Sequence, residues 1–270
     1  MTGLAVVGDV TTTTTLAIAA SWPSSNPTRQ SAIGVDAPTD IAVVEADPTG
    51  GSVAAWLDMP VSPSLSAAVT ALHHARSTGA SAGQLWSTVQ PFIRAAPSGP
   101  RVLPAPIRSL EARRSISEAA TTLFPLLHAT DTIIALFDVG RIDAFAPAPT
   151  LRSSACTVVV HRQESASAAA EAVRLERLAE TMAALHNAGH RTLLTVVGDT
   201  PFDVAEIVEF AAPGTPAARL PVDPLAAAVL AGRRGVSERR LHRLPLMRAA
   251  AHLAHALASV ASDSMAKAAT

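Results

Sequence analysis

The sequence predicts an α/β fold, a single domain built on a mainly parallel central sheet with helices on both faces. Three observations carry this expectation. Short β-branched runs alternate with alanine- and leucine-rich runs, the order expected of βαβ units. Several of the β-type runs are apolar almost throughout, as strands buried on both faces must be. Hydrophobic residues make up 49% of the 270 residues and charged residues 16%, enough apolar surface for one large core and too much for a disordered chain.

The elements follow in order. LAVVG (Leu4–Gly8) reads as the first strand, and a helix beginning near Thr12 and clear over Thr14–Ala20 leaves the polar turn behind it. SWPSSNPTRQ (Ser21–Gln30), rich in proline, serine and asparagine, reads as an exposed loop. DIAVVEAD (Asp40–Asp47) is the second strand, followed by helices over Gly51–Trp56 and Ser64–Arg76. AAPSGP (Ala95–Pro100) is a second loop, leading into the strand RVLPAP (Arg101–Pro106) and a helix over Ile116–Ala129. DTIIALFD (Asp131–Asp138) and CTVVVH (Cys156–His161) are strands, then come a helix over Ser165–Ala188, the strand RTLLTVVG (Arg191–Gly198) and a helix over Asp203–Phe210. A short strand, ARLPV (Ala218–Val222), precedes a last helix over Arg239–Ala261, which Pro245 should kink or break because it donates no N–H. There is no internal repeat and no long linker, so residues 1–262 form one domain and 263–270 are expected as a disordered tail.

Bulk charge excludes some partners. A net charge of −1 gives no global field towards nucleic acid or lipid, so such binding needs a local patch. The single Cys156 excludes an internal disulfide and a multi-cysteine zinc site, and suits a reduced cytoplasm. No basic leader precedes the first strand and no apolar run reaches the roughly 20 residues that span a bilayer, so a cytoplasmic protein without stable membrane insertion is expected. The histidines (among them His73, His74, His128, His161, His186, His190, His252 and His255) lack metal-binding spacing with an acid and read as core or surface residues. Cys156, at the start of an apolar strand, reads as core.

Chemistry should gather where strands end, because ligands of open α/β sheets bind beyond the carboxyl ends of the strands. The first strand ends in Gly8-Asp9, the second in EADPTGG, which places Glu45 and Asp47 on one side of the strand, and the fourth in Asp138 before Val139-Gly140. Each acid alone suits a helix cap. Three in this order point to one site of the kind that holds magnesium and aims water.

These motifs resemble the MinD/ParA family of deviant Walker-A ATPases. IAVVEADPTGGSVAAWLDM is similar to the family's second strand with its D-x-D-P element, TIIALFDVG to the later strand ending in aspartate, and RTLLTVVGDTPF with ARLPVDPLAAAVLAG to the late strands whose L-P-x-D-P loop runs near the adenine. The resemblance implies a P-loop NTPase-like domain, with Asp138 and Asp47 at the positions of the magnesium-associated acid and the water-orienting acid, and Thr14 at that of the magnesium-binding hydroxyl.

The loop departs from that pattern. Gly8, Asp9, Val10, Thr11, Thr12, Thr13, Thr14 and Thr15 stand where the family has K-G-G-x-G-K-[ST]-T, so Gly8 and Thr13 replace both lysines and Asp9, Val10 and Thr12 replace glycines. The only lysine in the chain is Lys267. Val10 and Thr12, being β-branched, are expected to resist φ > 0. Asp9 beside an anionic ligand would add repulsion of order 4 kcal/mol at ~4 Å in a surface-like dielectric. A degenerate nucleotide loop follows: no cofactor is expected, and vestigial roles remain for Asp47, Asp138 and Thr14. The resemblance then implies a pseudo-ATPase acting as regulator or scaffold in cell-division site placement, chromosome or plasmid partitioning, or positioning of secretion or pilus machinery. Its expected partners are proteins, as a homodimer or a heterodimer with an active relative, with recruitment to a membrane-associated complex through such a partner. Two alternatives stay open. One is an ATP- and magnesium-dependent switch with an atypical loop. The other is non-specific DNA binding by GRRGVSERRLHRLPLMR (Gly232–Arg248), where Arg233, Arg234, Arg239, Arg240 and Arg243 form a polyanion patch or merely a solvated basic face.

Overall fold

Because successive positions of the central β-type runs are apolar, both faces of those strands must be covered, and the strands pair into one sheet between two layers of helices. The computed structural model describes residues 3–23, 40–96, 99–130, 133–141, 149–152, 154–163 and 167–268. Its strands are β1 (Gly3–Gly8), β2 (Asp40–Glu45), β3 (Arg94–Ala95), β4 (Arg101–Leu103), β5 (Ile133–Gly140), β6 (Ser154–Arg162), β7 (Thr192–Val197) and β8 (Ala217–Leu220). The sheet order is β3-β4-β2-β5-β1-β6-β7-β8, and every pairing is parallel except β3 with β4.

Alternate residues divide the core. Leu4, Val6, Ile41, Val43, Val158 and Val160 meet the first helix (Thr11–Ala20) and the last (Pro245–Ala268). Ala5, Val7, Ala42, Val44 and Val159 face the other way, with side chains from the helices Leu65–Ser77, Ser109–Thr121 and Ala168–Asn187. The first helix has no polar side over Thr14–Ala19, all of which is buried between the sheet and its helical neighbours. Cys156 is buried in this core.

The seven expected strands are present, and the differences lie mainly in the helices. The first helix starts at Thr11, ahead of its expected start. The stretch expected as one helix over 116–129 is two, Ser109–Thr121 and Leu123–Ala129, because Pro125 cannot donate to the carbonyl four residues back. The helices Ala82–Val89 and Pro224–Leu230 are additional to those expected. Ala95, expected in a loop, pairs in the antiparallel edge strand β3. Pro245 does break the C-terminal helix: Glu238–Leu241 is separate and Pro245 opens the final helix, where its missing N–H leaves no gap. That helix runs to Ala268, so residues 263–268, expected as a tail, are helical. The expected loop over 21–30 lies outside the described residues from 24 onward, and so do residues 97 and 98 of the second loop.

Parallel register aligns the chemistry-bearing ends. Glu45 pairs with Asp138 across β2 and β5, Val6 with Asp138 across β1 and β5, and Gly8 with Val160 across β1 and β6. The acids and the threonine loop therefore share one edge at the centre of the sheet.

Candidate functional site

The site begins where β1 must turn sharply into the first helix. Gly8 has φ 111°, and a Cβ there would run into the carbonyl oxygen of Val160 on the neighbouring strand. The position that carries a lysine in the resembled family has no room for a side chain in this protein. Asp9 fixes the turn from both ends. Its N–H donates to the Val160 carbonyl (2.9 Å), and its carboxylate accepts from Arg174 Nη2 (2.7 Å), Arg141 Nη2 (3.3 Å) and the Arg162 N–H (3.3 Å).

Two expectations about the loop are corrected by this geometry. Asp9 does not stand as a bare charge against a ligand, because two guanidinium groups neutralise it. Val10 does adopt the left-handed conformation, at φ 44° and ψ 36°, despite its branched Cβ. Such a residue persists only where its surroundings over-determine it. Here the Asp9 clamp on one side and the Thr14 N–H bonded to the Val10 carbonyl (3.2 Å) on the other hold the loop in its curve.

The threonines separate by role. Thr12, intermediate in exposure, donates from its hydroxyl to Asp138 Oδ2 at 2.7 Å. Thr13 and Thr14 instead line a pocket of about 140 Å³ with Val10, Leu220, Pro221, Asp223 and Leu246, under the L-P-x-D-P turn. Thr14, expected with Asp138 as a magnesium pair, thus faces the pocket, and Thr12 holds the acid. Thr15 is buried in the core, its hydroxyl without a partner among the described residues. Asp223 caps the helix Pro224–Leu230 through the Ala226 N–H (2.9 Å) and accepts from the Leu246 N–H (3.4 Å), which ties the turn to the final helix.

Asp138 is 2% exposed and, among the described residues, its Oδ1 has no hydrogen-bond partner. Burial raises its carboxyl above the ordinary range, opposed by the hydroxyls of Thr11 and Thr12. Asp47 accepts the N–H and hydroxyl of Thr49 (both 2.7 Å) and packs against Gly140, whose φ of 70° and lack of Cβ admit the carboxylate. Glu45 is a structural acid that spacing alone does not distinguish from its neighbours. It is 1% exposed and accepts from Ser52 N (2.6 Å), Val53 N (2.8 Å) and Ala105 N (2.8 Å), binding β2 to the following helix and to the chain beyond β4. Burial pushes its carboxyl up to about 7.

Asp138, with an orphaned buried oxygen, fits a divalent cation or a hydroxyl as its further partner. The cradle fits a triphosphate poorly. Neither lysine position holds a cation, Gly8 has no space for one, and Lys267 lies at the end of the last helix. Arg162 is the cation that the sequence reading missed: it sits at the end of β6 and lines the pocket beside Thr13 and Thr14. Its signal in sequence was only its place after a β-strand. Arg233, Arg234, Arg239, Arg240 and Arg243 are all exposed around the short helix Glu238–Leu241, and among the described residues none of them forms an ion pair.

The sheet order and the strand-to-helix loop give an α/β fold of P-loop NTPase-like form, which solved structures share. A ParA family ATPase from Chlorobium tepidum TLS is similar at a TM-score of 0.63 and 15% identity, over 94% of this chain and 97% of that one. The MinC:MinD cell division protein complex of Aquifex aeolicus matches at 0.57 and 11% identity, over 95% of both chains, and a McdA–ATP complex from Cyanothece at 0.56 and 13%, over 95% and 96%. No protein-family model matches the chain, and no curated protein matches it by sequence. The chain has the fold of the MinD/ParA-like P-loop ATPases.

Proposed function

We propose that this chain is a pseudo-ATPase of the MinD/ParA type, a regulator or scaffold that works when division sites, chromosomes, plasmids, or secretion or pilus machines are positioned. The observation that carries the reading is the missing cation. Phosphoryl transfer in P-loop proteins depends on charge placed against the terminal phosphates, and this loop has glycine and threonine at both lysine positions. Thr12 on Asp138 and the arginines on Asp9 hold the loop in its curve. Function then runs through protein contacts, in a homodimer or with an active relative. The similarity to a MinC:MinD complex supports a partner-based role. Among the described residues no helix is long and apolar enough to cross a membrane, which suits a cytoplasmic protein recruited to membrane-bound machinery by its partner.

Titration calorimetry with ATP and magnesium tests this. No binding in the micromolar range and phosphate release equal to a buffer blank are expected, and Asp47→Ala or Asp138→Ala should leave the cellular role intact. Micromolar ATP binding that Asp138→Ala abolishes would overturn the reading. One observation favours the second reading, an ATP-dependent switch with an atypical loop: Arg162 stands beside the pocket as a substitute cation. Its planar fork differs from a compact ammonium. Loss of ATP binding in Arg162→Gln would establish that switch.

A further inference from the structure

On the face of β1 opposite the first helix, a cleft of about 410 Å³ opens between the ends of β1 and β6 and the helix Ala168–Asn187. Arg174, Arg177, Leu178 and Thr181 line it from the helix, and their spacing of three, four and seven residues places them on one face. Arg141 closes the side at the end of β5, and Asp9 and His161 complete the floor. Among the described residues, two carboxylates oppose the three guanidinium groups. Asp9 is held by Arg174 and Arg141, and Glu171 lies 3.9 Å from Arg174 while binding His161 at 2.6 Å. Arg177 is exposed and has no ion-pair partner among the described residues.

We propose that this cleft binds a phosphorylated small molecule, and that Asp9 occupies the anion position in its absence. The Asp9 carboxylate already rests where two guanidinium forks and a backbone N–H converge, the donor set that suits a phosphoryl group. The remaining cation, Arg177, extends that set along the helix, where the Thr181 hydroxyl donates to the Arg177 carbonyl (2.9 Å). The volume falls within the ~300–1,000 Å³ of small-molecule sites. An entering phosphoryl group takes Arg174 and Arg141 from Asp9, and Asp9 is part of the turn that holds Val10 in its left-handed conformation. The cleft is therefore coupled to the loop, whether or not the loop itself takes nucleotide.

The experiment is titration of the full chain with inorganic pyrophosphate at fixed ionic strength, with citrate as the carboxylate arm. Saturable one-site binding of pyrophosphate is expected, tighter than that of citrate. Arg177→Gln should weaken it about tenfold, the loss of one charged hydrogen bond. Asp9→Asn should tighten it several-fold by removing the competing carboxylate, and Thr13→Ala should leave it unchanged. Absence of saturable binding at millimolar pyrophosphate, preference for citrate, or a loss in Thr13→Ala without one in Arg177→Gln would overturn the proposal. The last outcome would move the anion to the threonine loop.

Discussion

Glu45 enters the interior at the end of its strand, and its two oxygens receive the N–H groups of Ser52, Val53 and Ala105. With its carboxyl raised from 4.5 to about 7, the folded protein keeps a proton that the unfolded chain has released at pH 6. Its contribution to stability is full below pH 4.5 and is lost as pH rises through 7, by about 3 kcal/mol at ~1.4 kcal/mol per unit. Asp138, also raised, acts in the same direction. His128 acts oppositely: burial lowers it from 6.5 to about 4, so its contribution is present above pH 6.5 and lost as pH falls towards 4. Comparing wild type with Glu45→Gln isolates the first effect. The difference in their unfolding free energies, from urea titrations, should shift against the wild type by about 3 kcal/mol between pH 4.5 and pH 7. A pH-independent difference would assign the slope to other groups. Residue identity along the sequence located these acids at strand ends. It did not reveal that Asp9 is neutralised, because its partner Arg174 lies 165 residues away along the chain.

At the scale of elements, the junction of β1, the loop and the first helix is set by how closely β1 approaches β6. Gly8→Ala places a methyl group against the Val160 carbonyl at a backbone angle that L-residues rarely adopt. It should cost about 2–3 kcal/mol, read as a lower denaturation midpoint with an unchanged slope. A stability equal to wild type would mean that the two strands separate easily. The parallel strands were legible because burial on both faces leaves an apolar run that few other structures require. The helices were less so. The first helix is buried all round and shows no amphipathic period, and the boundary near Thr122 depends on a proline acting four residues back along the chain. The loop was legible as a departure from a pattern, but its conformation was not. Val10 is left-handed because its neighbours on both sides are tied down, which its own side chain argues against.

For the whole molecule, charge is nearly balanced, so nucleic-acid binding needs a local patch, and the exposed arginines between residues 232 and 248 supply the candidate. If they contact phosphates, DNA affinity should fall steeply with salt, the slope of log affinity against log salt measuring about 0.9 per contact. Replacing Arg233, Arg234, Arg239, Arg240 and Arg243 by glutamine should flatten that slope in fluorescence anisotropy titrations. No binding at low salt would leave the segment as a solvated basic face. The sequence by itself determined the α/β class, the seven main strands, the acids at the strand ends and the absence of lysine from the loop. These are properties of local pattern and composition, which the chain carries wherever it folds. Only the tertiary structure decided which groups meet: Thr12 on Asp138, two arginines on Asp9, Arg162 beside the pocket, and a cleft behind β1. Each of those contacts joins residues far apart in sequence, and their geometry exists only once parallel strands have been brought into register and helices packed on both faces.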